Sequence, residues 1–175
     1  YTLHGSLQTD AYWVNQTQDP DDSTQTLSGV TGRFFPQVGL DWRFPLVRHG
    51  RQFATVIEPI AGVIIGPNGG NPDKIPNEDS LDFELADTNI FEANRFTGVD
   101  RVDGGPRVYY GMRGSIHGSE TGYATAFIGQ SYQFRSNSLF AEGSGLEDNF
   151  SDLVGRVALV PQKYLDMYDP DAIEG

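Results

Sequence analysis

The chain has 175 residues, enough for one domain, and its formal net charge of −12 argues against nucleic-acid binding, because phosphate backbones repel acidic surfaces. It contains no run of about 18 apolar residues, so it has no predicted transmembrane helix. The absence of cysteine excludes disulfides and thiolate metal sites. The chain starts at Tyr1 without a Met or an apolar leader, and we expect residues 1–175 to be one partial domain of a larger protein.

Six segments have the pattern of β-strands. They are residues 1–14, 33–47, 53–66, 105–117, 122–134 and 150–161. The clearest pattern lies within 34–46, where every even position is apolar and the odd positions are mostly polar. Because strand side chains alternate sides, this predicts a two-faced strand about twice the ordinary length. Such a strand is typical of a transmembrane β-barrel, with lipid outside and water inside.

The expected connections are about 18, 5, 38, 4 and 15 residues long. Strict alternation of long and short connections is typical of outer-membrane barrels. The short ones predict antiparallel pairing of 33–47 with 53–66 and of 105–117 with 122–134, and Gly50 occupies a tight-hairpin position that often needs positive φ. The predicted fold class is all-β, an antiparallel segment of a large transmembrane β-barrel with about six long strands.

Alternation also assigns side chains to faces. The residues predicted to share the lipid-facing surface are Phe34, Val38, Leu40, Trp42, Val108, Tyr110, Met112, Ala126 and Ile128. The opposite, concave side should carry Thr125 together with the lumen-facing candidates Asp41, Arg43, Glu58, Arg107, Tyr109 and Arg113. Charges on that face either form ion pairs within the lumen or line a substrate route.

Residues 67–104 form the longest connection. They hold nine acidic and three basic residues, and so half of the net charge. They also contain Phe83, Ile90, Phe91 and Phe96, which a free loop would have little use for. We therefore expect an ordered segment, external or at the lumen mouth, folded against the barrel. Its candidate anchors are Asn94, Arg95, Asp100 and Arg101.

The acids of this segment have no EF-hand spacing, so no metal site is predicted; a solvated acidic loop and a divalent-cation bridge to an anionic ligand both stay open. His117, Ser119 and Glu120 surround a turn and are interpreted as turn residues, because sequence adjacency is not triad geometry. No catalytic residue and no cofactor is predicted.

A longer signature lies in and around this segment. It comprises Ile57-Glu58-Pro59, Asn89-Ile90-Phe91, Asn94-Arg95-Phe96-Thr97-Gly98, Asp100-Arg101 and the strand start Arg107-Val108-Tyr109-Tyr110-Gly111. From about residue 33 to 168 the sequence resembles the LptD family of lipopolysaccharide-assembly outer-membrane proteins (organic solvent tolerance protein), most closely its alphaproteobacterial members. The resemblance covers the middle part of the family's barrel.

The resemblance implies a non-enzymatic part of the translocon that inserts lipopolysaccharide into the outer leaflet of the Gram-negative outer membrane. Implied partners are lipopolysaccharide, membrane lipid, the lipoprotein plug LptE, and periplasmic bridge proteins that bind through a jelly-roll domain absent from this chain. Two alternatives stay open from the residues alone. One is another outer-membrane barrel, such as a porin or passive channel, and the other is a soluble carbohydrate-binding β-sandwich, which would cover the apolar face of 34–46 with a second sheet.

Overall fold

A computed structural model describes residues 1–18, 24–80, 85–118, 122–135, 140 and 143–161. Strands account for the regular structure of these ranges, which contain no helix. The strands are β1 (Thr2–Gln18), β2 (Thr26–Arg43), β3 (Leu46–His49), β4 (Phe53–Ile65), β5 (Arg107–Gly118), β6 (Gly122–Gln133) and β7 (Val154–Pro161). The all-β prediction is therefore confirmed.

All strand pairs are antiparallel and form one sheet in the order β1-β2-β4-β5-β6-β7, with β3 pairing beside β2 on β4. The sheet curls into a half-barrel. Both predicted hairpin pairings are confirmed, since β2 and β3 pair with β4 and β5 pairs with β6. Among the described residues, β1 and β7 each have one edge without a partner strand.

The first hairpin is longer than predicted. β1 continues to Gln18 and β2 begins at Thr26, so the connection expected to span 18 residues shortens to 19–25. Polar residues and glycines predominate in residues 26–32, so the sequence pattern there did not predict a strand. In the structure, Val30 nevertheless pairs with Trp13 across the hairpin. Cross-strand pairing with a long partner therefore overrides a weak local pattern.

Three other predictions need correction. The continuous strand predicted for 33–47 is interrupted at Phe44 and Pro45, because Pro45 has no amide hydrogen for the ladder. The register survives, since Arg43 pairs with Ile60 and Leu46 with Ile57. β5 and β7 begin at Arg107 and Val154 rather than at 105 and 150. Gly50 does not have positive φ; a Cβ there would lie 2.9 Å from the carbonyl oxygen of Phe53, so close approach explains this glycine.

Register places the predicted faces consistently across the sheet. Leu40 pairs with Val63, and Val63 pairs with Val108, so the apolar alternate residues share one face, here called the outer face. Asp41, Gly62 and Tyr109 follow one another on the opposite, inner face. Residues 66–106, the inner segment, connect β4 to β5, and described residues of this segment pack on that inner face.

Candidate functional site

The outer face is apolar and uncovered by the described residues. Leu3, Val38, Met112 and Val157 are each at least half exposed. Aromatic side chains also lie on this face. Trp42 and Phe44 stack with ring centroids 6.1 Å apart, and Tyr132 contacts Phe134 at 5.3 Å and Phe150 at 4.6 Å. An exposed apolar face that carries aromatic side chains is typical of the outer surface of a transmembrane barrel.

The inner face is polar, and ion pairs line its open part. His4 lies 3.0 Å from Asp41, and Arg113 lies 3.6 Å from Glu58. Of the six lumen-facing candidates, these two acids, Arg113 and the exposed Arg43 lie on this open part. Arg107 and Tyr109 lie on the same face but are buried under the inner segment. The candidate set is thus divided between an accessible surface and a covered one.

The first anchor of the inner segment is Arg33 on β2. Its Nε donates to Oδ2 of Asp10 on β1 at 2.7 Å, and its side chain is almost fully buried. The guanidinium also donates to the carbonyl oxygens of Val99 at 2.5 Å and Asp100 at 2.9 Å. Because Asp100 in turn accepts from the Tyr12 hydroxyl at 3.3 Å, this contact attaches the segment to both strands of the first hairpin.

The second anchor is a buried cluster of three charged residues. Asp103 accepts from Nε of Arg95 at 2.5 Å and lies 3.1 Å from Nη1 of Arg107 on β5, and all three side chains are inaccessible to solvent. Arg107 also donates to the carbonyl oxygens of Glu92 and Ala93, both at 2.6 Å. A buried carboxylate between two guanidiniums offsets the desolvation cost of all three only when the geometry and hydrogen bonding are complete.

Neighbouring strands add further hydrogen bonds to this cluster. Arg95 Nη1 donates to the Ser131 hydroxyl at 3.3 Å, and Gln133 donates to Oδ1 of Asp103 at 3.4 Å, both from β6. Gln37 on β2 donates to the carbonyl oxygen of Asp103 at 3.1 Å. The cluster therefore connects β2, β5 and β6 through the inner segment.

Apolar contacts fill the space between the two anchors. Phe91 packs on Tyr109 with centroids 5.0 Å apart and meets Phe127 edge-on at 5.5 Å. Ile60 and Ile64 of β4 belong to the same cluster. Ile90 and Phe96, both predicted to be buried, are buried, and Phe91 is half-buried; Phe83 lies outside the described residues.

Hydrogen bonds within the segment hold its shape. Asp79 accepts from the amides of Val99 at 2.8 Å and Asp100 at 3.1 Å, and these bonds, that of Val99 foremost, lower the pKa of its carboxyl. Asn94 accepts from the Asp103 amide at 3.1 Å and donates to the Arg101 carbonyl oxygen at 3.1 Å.

Arg101 donates to the carbonyl oxygen of Ile75 at 2.9 Å, and burial lowers the pKa of its guanidinium from the ordinary value. Among the four candidate anchors, Arg95 and Asp100 contact strand side chains, while Asn94 and Arg101 contact the segment's own backbone.

Sequence reasoning missed several residues of these anchors. Arg33 and Gln37 do lie on the polar side of the predicted strand, and that alternation was the signal that could have found them. Asp10 gave no local signal, because its partner Arg33 is 23 residues away. Asp103 lies only four residues from Arg107 and eight from Arg95, but its burial beside Gln133 of β6, 30 residues away, gave no local signal.

Among the residues that the structure describes, no helix is long and apolar enough to cross a membrane. The described ranges also contain no group of three or more His, Asp or Glu side chains arranged to hold a metal ion. Ser119 and Glu120, considered with His117 as turn residues, lie outside those ranges.

A curled antiparallel sheet, with an exposed apolar outer face and a polar inner face, defines a wall segment of an outer-membrane β-barrel protein. The chain belongs to the LptD family, described as LPS transport system D, whose profile matches residues 2–169. Membership therefore includes the first hairpin, which the resemblance from residue 33 left out. A comparison with curated proteins gave no significant match. The family is a lipopolysaccharide transport component of the outer membrane, and the chain has that role in broad terms.

Replacing Asp103 with Ala tests the second anchor. The substitution leaves Arg95 and Arg107 buried without their counter-ion, and breaking a buried ion pair in this way costs about 3–5 kcal/mol. We expect a lower free energy of unfolding in a membrane refolding assay, and faster hydrogen exchange at residues 90–103. Asp148→Ala, which removes an exposed carboxylate, is the matched control and should change neither quantity. Unchanged exchange at 90–103 in the Asp103 variant would contradict the anchor.

Acid should loosen the contact between Asp79 and the Val99–Asp100 backbone. The folded-state pKa of Asp79 is depressed, so its stabilising contribution is complete above the unfolded value of about 3.9 and is lost as pH falls through the folded value. Hydrogen exchange at the Val99 and Asp100 amides should therefore accelerate, relative to the intrinsic rate, as the pH falls below about 4.

Asp79→Asn keeps the shape of the side chain but cannot change charge. In this control, protection of the two amides should be weak and independent of acid over the same range. An identical pH profile in both proteins would assign the effect to other groups.

Proposed function

We propose that the chain forms part of the wall, the lumen lining and the external loops of the barrel that inserts lipopolysaccharide into the outer leaflet of the outer membrane. One observation carries the proposal. The same strands present an exposed apolar surface on one side and, on the other, a polar face of which one half stays open. A wall between lipid and an aqueous conduit requires this division. No covalent chemistry is needed for that task.

Connection length supports an orientation. β4 and β5 are joined by residues 66–106 and β6 and β7 by 134–153, whereas β3–β4 and β5–β6 are joined by 50–52 and 119–121. Outer-membrane barrels have short turns on the periplasmic side and long loops outside. In the proposed orientation the inner segment lies at the external mouth and closes this part of the lumen.

The inner segment separates the lumen-facing residues into a covered group and an accessible group, which we assign different roles. Arg107 and Tyr109 hold the segment and are inaccessible to a passing molecule. The open surface near Asp41, Arg43, Glu58 and Arg113 carries both signs of charge, which suits the phosphates and sugars of lipopolysaccharide. We therefore assign substrate contact to this open surface, anchoring to Arg95 and Asp100, and the internal shape of the segment to Asn94 and Arg101.

The remaining partners follow from the family. LptE in the lumen, and periplasmic bridge proteins acting through a jelly-roll domain outside this chain, belong to the same proposal, as do the alphaproteobacterial type and the placement in the middle of the barrel. Of the alternatives, the β-sandwich is disfavoured by the outer face, which no second sheet covers within the described ranges. A porin or passive channel is disfavoured by family membership.

Photocrosslinking in living cells tests the function directly. A photoreactive amino acid placed at Arg113 faces inward, and one at Met112, the adjacent residue, faces outward at nearly the same height. In the full-length protein we expect lipopolysaccharide adducts at Arg113 that depend on ongoing transport. Adducts at Met112 should not depend on transport. Transport-dependent adducts at Met112, with none at Arg113, would reject the proposed route.

Leu40→Arg tests whether the outer face contacts lipid. An arginine on the lipid side of a barrel costs about 2–4 kcal/mol near the bilayer midplane. The expected result is a lower free energy of unfolding in a membrane refolding assay. Ser6→Arg places the same charge on the exposed inner face and should cost far less. Equal stability of the two variants would exclude lipid contact at Leu40.

A further inference from the structure

The hairpin formed by β3 and β4 is basic in an acidic protein. Residues 42–57 contain three arginines and one histidine but no aspartate or glutamate, although the whole chain has a net charge of −12. The tip of this hairpin, residues 46–55, lies at the end of the sheet with short turns. Positive charge is therefore concentrated at one end of the barrel wall.

The strand register shows on which face of the sheet Arg48 lies. Leu46 pairs with Ile57 and Arg48 pairs with Thr55, so Arg48 lies on the apolar outer face. A hydrogen bond of 2.8 Å from the Gly50 amide to the Phe53 carbonyl oxygen closes the turn that carries Arg51. Both arginines line one open hollow of about 470 Å³, and its remaining lining residues are Gly50, Gln52, Phe53 and Thr55.

Neither guanidinium is neutralised within the part of the chain that the structure describes. Arg48 and Arg51 have no ion pair and no hydrogen bond there, and both are exposed. Arg33, Arg95 and Arg107 are, by contrast, all bound to Asp10 or Asp103. The two charges at the hairpin tip are thus available for an anion that comes from outside the chain.

The surroundings of the hollow indicate the source of that anion. Phe53 lines it and is exposed, and the exposed Leu46 and Ile57 lie next to it on the same outer face. An aromatic ring beside cationic side chains occurs where a barrel passes from the hydrocarbon core to the headgroup layer. A lipid, whose anionic group is attached to apolar chains, can bind both the two arginines and the apolar outer face. A free anion can bind only the arginines.

We infer that the hairpin tip binds an anionic glycerophospholipid of the leaflet nearest the short turns. Arg48 and Arg51 contact its phosphate, and its acyl chains lie on Leu46, Ile57 and Phe53. The inference rests on the membrane embedding in the proposed function but not on the direction of lipopolysaccharide transport. The bound lipid fixes the depth of this hairpin in the membrane.

Lipid retention by the intact protein tests the site. The full-length protein is placed in bilayer discs of equal parts phosphatidylglycerol and phosphatidylcholine, and the lipid that stays bound is identified by native mass spectrometry. We expect phosphatidylglycerol to be enriched, and Arg48→Gln and Arg51→Gln each to lower this enrichment by about fivefold, the effect of one interfacial charge. Arg48→Lys should retain most of it.

Arg135→Gln is the matched control, because Arg135 is exposed at the opposite end of the sheet, and it should leave the enrichment unchanged. Equal enrichment in the wild type and both hairpin variants would overturn the site, as would an equal loss in the Arg135 variant. If added lipopolysaccharide displaces phosphatidylglycerol from the wild type, and the Arg48→Gln variant does not bind lipopolysaccharide, then the anion is the transported lipopolysaccharide and the assigned lipid is rejected. Surface lipopolysaccharide, measured in cells, reports separately on the proposed function.

Discussion

The packing of the inner segment on the sheet depends on one carboxylate. Asp103 lies between Arg95 and Arg107 without access to solvent, and each of these ions would cost several kcal/mol to bury alone. Together with Gln37, Gln133, Ser131 and the main-chain carbonyls, they form a network to which β2, β5 and β6 contribute partners. The position of the inner segment follows, because its chain must pass where Arg95 and Asp103 can reach β5 and β6.

A polar interior of this kind suits a sheet whose apolar residues face outward. Leu40, Met112 and their outer-face neighbours are exposed in the chain itself, so they contribute stability only when lipid covers them. The inner face cannot repeat that apolar pattern, and it is held by small apolar clusters and hydrogen-bonded charges instead. Such contacts are directional, so they specify one arrangement of the segment where an apolar surface would accept several.

The sequence alone predicted the features that depend on the alternation of side chains along a strand. Alternation from Phe34 to Leu46 predicted the outer face, and the short Gly-containing turns predicted the pairing of the strands. It did not predict features that depend on a partner residue distant in the chain. Thr26 to Gly32 became a strand because β1 was there to pair with it, and Asp103 became an anchor because the folded sheet brings Gln37 of β2 and Gln133 of β6 beside it. No local pattern contains that information, since the partners meet only in the folded sheet.

The connectivity of the anchors also constrains the order of assembly. The inner segment lies between β4 and β5 in sequence, yet it contacts Arg33 on β2 and Ser131 on β6, which lie on either side of it in the chain. The first anchor is complete only when β1 and β2 have paired, and the second only when β2, β5 and β6 are in place, so the segment buries its charges after these strands have formed the wall. Until then Arg95, Asp103 and Arg107 are better solvated apart. The wall and the segment therefore stabilise each other, but the strands must pair before the segment can settle on them.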